Sequence, residues 1–84
     1  MMNEFAHRLY LTNIPPEVTE AEIRALVFKY TRQEPVDFKR VDEVSEHPVY
    51  VLSFNGLLDG ELQEIVSRLH DLYWHEHHIV AHVI

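Results

Sequence analysis

The strongest constraint in this sequence is a succession of hydrophobic periods. Two segments repeat at helical spacing, and strand-like alternation stands before, between and after them. The first helical segment opens with Thr19 as N-cap and Glu22 three residues later, the pairing of a capping box. Ile23, Leu26, Val27 and Tyr30 follow at i, i+3, i+4 and i+7 and make one apolar stripe. Glu17, Glu20 and Glu22 fall near the positive end of this helix, where carboxylates are favoured. In the second segment Leu62, Ile65, Val66 and Leu69 repeat the stripe, with Asp59 as the expected cap and an expected end near Tyr73.

The strands read less sharply. Arg8 to Ile14 alternates, with Leu9, Leu11 and Asn13 on one face and Tyr10 and Thr12 on the other. Pro15 and Pro16 end it, because proline cannot donate to a ladder. Val36 to Val41 is expected as a second strand of ambiguous register: Val36 and Phe38 share a face and Val41 falls on the other. In Pro48 to Phe54, Tyr50, Leu52 and Phe54 alternate with Val49, Val51 and Ser53. Its short separation from the second strand predicts an antiparallel hairpin. Asn55-Gly56 breaks the chain, and His78 to Ile84 forms the last strand. The order β-α-β-β-α-β predicts an α+β, ferredoxin-like domain, a four-stranded antiparallel sheet with both helices on one face.

Composition narrows the classes. At 84 residues there is room for one hydrophobic core, and 46% hydrophobic content is too high for a disordered chain. Cysteine is absent, which excludes disulfides and thiolate metal sites and fits a reducing compartment. Residues Met1 to His7 hold no apolar run of the secretory kind. No stretch approaches the roughly 18 apolar residues of a membrane span, so no membrane association and a cytoplasmic location are expected. Fourteen acidic residues against seven basic ones give a net charge of −7, which works against contacts to phosphate.

The segment Leu9-Tyr10-Leu11-Thr12-Asn13-Ile14 resembles the hexamer motif of the RNA recognition motif family, and Arg8 to Val27 is similar to that family's first strand, loop and helix. The resemblance extends in element order over residues 1–84, read as a single domain of this kind with strand order 4-1-3-2. It implies single-stranded RNA as the partner, bound on the open face of the sheet, with Tyr10 as the stacking aromatic. The octamer motif, aligned on Phe54, is degenerate. His47 stands for the family's basic residue and Pro48 for its glycine, while Val49 and Val51 replace both open-face aromatics. Tyr50 occupies a small core-facing position and is expected to pack. Asp42, Glu43 and Glu46 make the loop between the second and third strands acidic and repel phosphate. The RNA-binding set implied is Tyr10 and Thr12, with Arg8, Lys39, Arg40 and His47 as a small basic patch, Val49 and Val51 beside them, and His82 as a second flat ring.

Two other chemistries find no complete motif in the sequence. His70, His75, His77, His78 and His82 crowd the end of the chain, and such tracts bind zinc, nickel or copper, yet no carboxylate or cysteine completes a ligand spacing; no metal or cofactor is expected. No nucleophile stands beside a base in a known motif, and the glycine-rich phosphate loop of acylphosphatases, which share the element order, is missing; catalysis is not expected. The alternative to RNA is a protein partner or a homodimer on the open face, where Tyr10, Val49, Val51 and Val80 would form an apolar patch.

Overall fold

The computed structural model describes residues 7–42 and 48–84. The elements follow the expected order: β1 (His7–Thr12), α1 (Glu20–Thr31), β2 (Asp37–Val41), β3 (Val49–Phe54), α2 (Glu61–Leu69), a short hairpin of β4 (Tyr73–Trp74) and β5 (His77–His78), and β6 (Val80–Val83). The long strands form one antiparallel sheet in the order β2-β3-β1-β6, which is the expected 4-1-3-2 once the small hairpin is set aside.

Alternation along the strands separates the two faces. Leu9 and Leu11 of β1 and Tyr50, Leu52 and Phe54 of β3 are buried together with Ile23, Leu26 and Val27 of α1 and Leu62, Ile65 and Leu69 of α2. Both helices therefore cover the same face. Ile14 and Val18 from the loop after β1, and Ile79 and Ala81 from the end of the chain, complete this core. Each fully buried aliphatic side chain stabilises by about 1.5–3 kcal/mol, and cutting one such as Leu52 to alanine costs about 2–5 kcal/mol once the cavity is included. Val66 is only partly buried, and Tyr30 is exposed where the α1 stripe turns away from the sheet.

The capping box at α1 forms as read. The Glu22 carboxylate accepts from the Thr19 N–H at 2.8 Å, and the Glu22 N–H donates to the Thr19 hydroxyl at 3.2 Å. The helix stops at Arg32, whose left-handed backbone (φ 61°) donates its N–H to the Phe28 carbonyl.

Helix α2 departs from expectation at both ends. Asp59 is not its cap. Gly60 precedes the helix in a left-handed conformation (φ 87°) that non-glycine residues adopt at a cost, and the Glu61 carboxylate caps the Leu58 N–H at 2.7 Å instead. The helix ends at Leu69, not near Tyr73. Asp71 turns left-handed (φ 68°) and its N–H bonds to the Ile79 carbonyl at 2.7 Å, while Ile79 donates back to Leu72 at 2.9 Å. These tertiary bonds pull Tyr73 and Trp74 out of the helix and into the β4–β5 hairpin. The hairpin loop, His75-Glu76, has positive φ at both residues (51° and 64°), as a type I′ turn requires. Trp74 is partly buried against the core.

Candidate functional site

The strand registers fix the layout of the open face. Tyr10 pairs with Val51 on one side and His82 on the other, and Val51 pairs with Lys39. The middle of the face is thus a row running Lys39, Val51, Tyr10, His82 from β2 to β6. On one side of it Val41 pairs with Val49 and Thr12 with Val80; on the other, Ser53 pairs with both Asp37 and Arg8. Tyr10 is half-buried and His82 exposed, with ring centroids 5.4 Å apart and planes tilted by 39°. That spacing lies within the range of interacting aromatic pairs and makes one continuous, bent π surface. Valines next to it supply apolar area but no face on which a base would stack.

Arg8 and Lys39 are exposed at the rim of this surface, and neither has an ion-pair partner among the described residues. A shallow depression of about 370 Å³ lies between them, lined by Arg8, Asp37, Lys39, Val51, Ser53 and Ile84. Asp37 brings one negative charge into this otherwise basic corner.

Arg40 requires a correction. Its register partner is Tyr50, a core residue, so it lies on the helix side of the sheet and not with Lys39 on the open face. The reason is the register of β2. Phe38 packs against the core, and the residue two positions on shares its face. The Arg40 guanidinium donates to Asp42 at 2.8 Å and to the Pro16 carbonyl at 3.0 Å, and it sits 5.7 Å from the Tyr50 ring centroid. The bond to Asp42 raises its pKa above the ordinary arginine value. The other sites in the expected set, Arg8, Tyr10, Thr12, Lys39, Val49, Val51 and His82, share the open face. His47, with Glu43 and Glu46 of the acidic loop, lies outside the described residues.

The structure adds neighbours that periodicity did not single out. Ser53, Asp37 and Ile84 line the depression, and the His70 ring approaches that of His82 at 5.5 Å. Ser53 follows the alternation of Val49 and Val51, but its pairing with Asp37 was hidden by the ambiguous register of β2. His70 was hidden because its approach depends on where α2 stops. Among the described residues no group of three or more His, Asp or Glu side chains is placed to hold a metal ion, and no helix is long and apolar enough to cross a membrane.

No protein-family model and no curated protein matches this sequence. Solved structures do. Residues along 99% of the chain superpose on the N-terminal three RNA-binding domains of the yeast splicing factor Prp24 with a TM-score of 0.77 at 16% identity, covering 32% of that chain, so this chain spans about a third of its length. The third RRM domain of Mip6 matches with a TM-score of 0.75 at 12% identity over 98% of both chains. The second RRM of yeast Prp24, bound to a fragment of U6 RNA, matches with a TM-score of 0.62 at 20% identity over 98% of this chain and 92% of that one. Identities this low speak to architecture alone, and the architecture is the ferredoxin-like fold of an RNA recognition motif.

Proposed function

We propose that this protein binds single-stranded RNA on the open face of its sheet, without catalysis. The observation that carries the proposal is the middle row of that face, where the half-buried Tyr10 ring lies beside the His82 ring, with Lys39 at the far end of the row and Arg8 in the next one, neither cation ion-paired among the described residues. An aromatic in the centre of an exposed sheet offers a base a flat partner, worth about 1–3 kcal/mol per stacked base. The two cations supply phosphate contacts where the rest of an acidic protein supplies repulsion. That a domain of the same fold is bound to U6 RNA adds support by analogy.

With valines at two of the three platform positions, few bases stack, so binding is modest and short. Titration with short single-stranded RNAs, followed by backbone amide NMR, tests this. Shifts are expected on Arg8, Tyr10, Thr12, Lys39, Val51 and His82, with α1 and α2 unmoved. Shifts centred on the helices, or none at millimolar RNA, overturn the proposal.

A second reading has its own observation. Val41, Val49, Val51, Val80 and Ile84 give the face an apolar fraction that a protein partner or a second copy of the chain would bury. Concentration-dependent sedimentation lost on Val51→Glu, with no RNA response, is the outcome that selects it.

A further inference from the structure

The open face does not end at the last strand. Among the described residues β6 pairs with β1 alone, so its outer edge presents backbone groups without a strand partner there. His70 leaves α2 in extended backbone (φ −68°, ψ 133°) and meets that edge, where its Nδ1 accepts the Ala81 N–H at 3.1 Å. This bond settles the chemistry of the ring. A neutral imidazole has one N–H and one acceptor nitrogen, so with Nδ1 accepting, the proton is on Nε2. Nε2–H has no protein partner among the described residues, and His70 is exposed.

The same ring continues the π surface. His70 and His82 lie 5.5 Å apart between centroids, tilted by 57°, and His82 lies 5.4 Å from Tyr10. Tyr10, His82 and His70 thus form a series from the middle of the sheet over its edge. Capping the edge needs only Nδ1, a task that an asparagine Oδ1 performs equally well. What the imidazole adds is a donor of fixed tautomer at the end of a stacking surface.

We propose that the β6 edge is a nucleotide-recognition site, in which a nucleotide stacked along Tyr10 and His82 receives a hydrogen bond from Nε2–H of His70. The proposal rests on the RNA-binding reading and adds to it a residue outside the sheet. The acceptor is an oxygen or nitrogen of the base edge or an oxygen of its phosphate, and both satisfy the same donor.

Two variants separate the roles of the two nitrogens. His70→Asn keeps an acceptor at the Nδ1 position for Ala81 and leaves no donor at the Nε2 position; His70→Gln keeps a donor near the Nε2 position and leaves no acceptor at the Nδ1 position. Dissociation constants are measured with uniform U, A, C and G oligoribonucleotides, alongside ring-nitrogen NMR of the free protein. Expected are the Nε2–H tautomer of His70, RNA affinity about 3- to 10-fold weaker for His70→Asn with the fold intact, and affinity within about twofold of wild type for His70→Gln. A loss that differs among the four RNAs identifies a base edge, and a uniform loss identifies phosphate. If His70→Asn does not fold, His70→Ala takes its place, with the same loss expected and an unchanged affinity overturning the proposal. An Nδ1–H tautomer overturns the proposal. So does binding that Tyr10→Ala abolishes and His70→Asn leaves unchanged, an outcome that spares the RNA-binding reading. A wild-type protein that binds none of the RNAs overturns both.

Discussion

Replacing Tyr50 with phenylalanine is expected to stabilise the fold. Tyr50 is only 1% exposed, its ring packs 5.6 Å from that of Phe38, and its hydroxyl is buried without a hydrogen-bond partner among the described residues. A buried polar group left unpaired costs about 1–3 kcal/mol, and phenylalanine keeps the ring while removing that group. The loss of the oxygen's own packing contacts offsets part of the gain, leaving about 1 kcal/mol. In a domain of this size 1 kcal/mol corresponds to roughly 4–8 °C in Tm. Thermal and urea unfolding by circular dichroism measure it, with an unchanged urea m-value as the sign that the denatured state is unaltered. A second arm uses pH. Burial pushes the Tyr50 phenol above its ordinary 10.0, and the nearby Arg40 guanidinium opposes this only in part. The unfolded chain therefore releases this proton at lower pH than the native protein does, and stability falls as pH rises through the unfolded value of about 10. Tyr50→Phe removes that contribution to the alkaline slope. Destabilisation by 1 kcal/mol or more, or an unchanged alkaline slope, refutes the reasoning by showing that the hydroxyl is satisfied.

Further outcomes follow from other elements. Glu76→Gly relieves one left-handed residue of the β4–β5 turn (φ 64°) and stabilises by about 1 kcal/mol in the same assay; a loss of stability shows that the turn is not held as described. Thr19→Ala removes the N-cap of α1 and costs about 1 kcal/mol. Its partner Glu22 has a pKa lowered from 4.5, chiefly by the Thr19 N–H, so the stability that the box contributes is present above that value and lost as pH falls through the lowered one; Glu22→Gln should remove this acid slope, whereas Thr19→Ala, which keeps the N–H and loses only the hydroxyl, should lessen it in part. Because Arg8 and Lys39 are the open-face cations among the described residues, the plot of log affinity for RNA against log salt should have a slope of about −1.4, two phosphates at about −0.7 each, and Lys39→Ala should halve it while Arg40→Ala leaves it unchanged.

The legibility of this fold in its sequence varied with the reach of the contacts involved. The capping box and the stripe of α1 are local, three and four residues apart, and they form where the spacing put them. Strand β1 carries its register in its own alternation, which set Tyr10 and Thr12 opposite Leu9 and Leu11. Strand β2 has one large apolar anchor, Phe38, and its alternation alone left the side of Arg40 open until pairing with β3 fixed it. The β4–β5 hairpin carries no glycine or Asn-Gly signal at His75-Glu76, so its left-handed turn was invisible, and the bonds that hold it come from Ile79. His70 was readable as a histidine but not as a neighbour of His82, since that depends on α2 ending at Leu69.

The most direct test of the central claim compares the affinity of the wild-type protein and of Tyr10→Ala for one short single-stranded RNA at low salt. The ring projects from the open face, away from the core, so the variant should keep its Tm. The account predicts saturable binding by the wild type and a loss of about five- to 150-fold on Tyr10→Ala, the equivalent of about 1–3 kcal/mol of stacking. Equal affinity of the two folded proteins, or no binding by either, contradicts it.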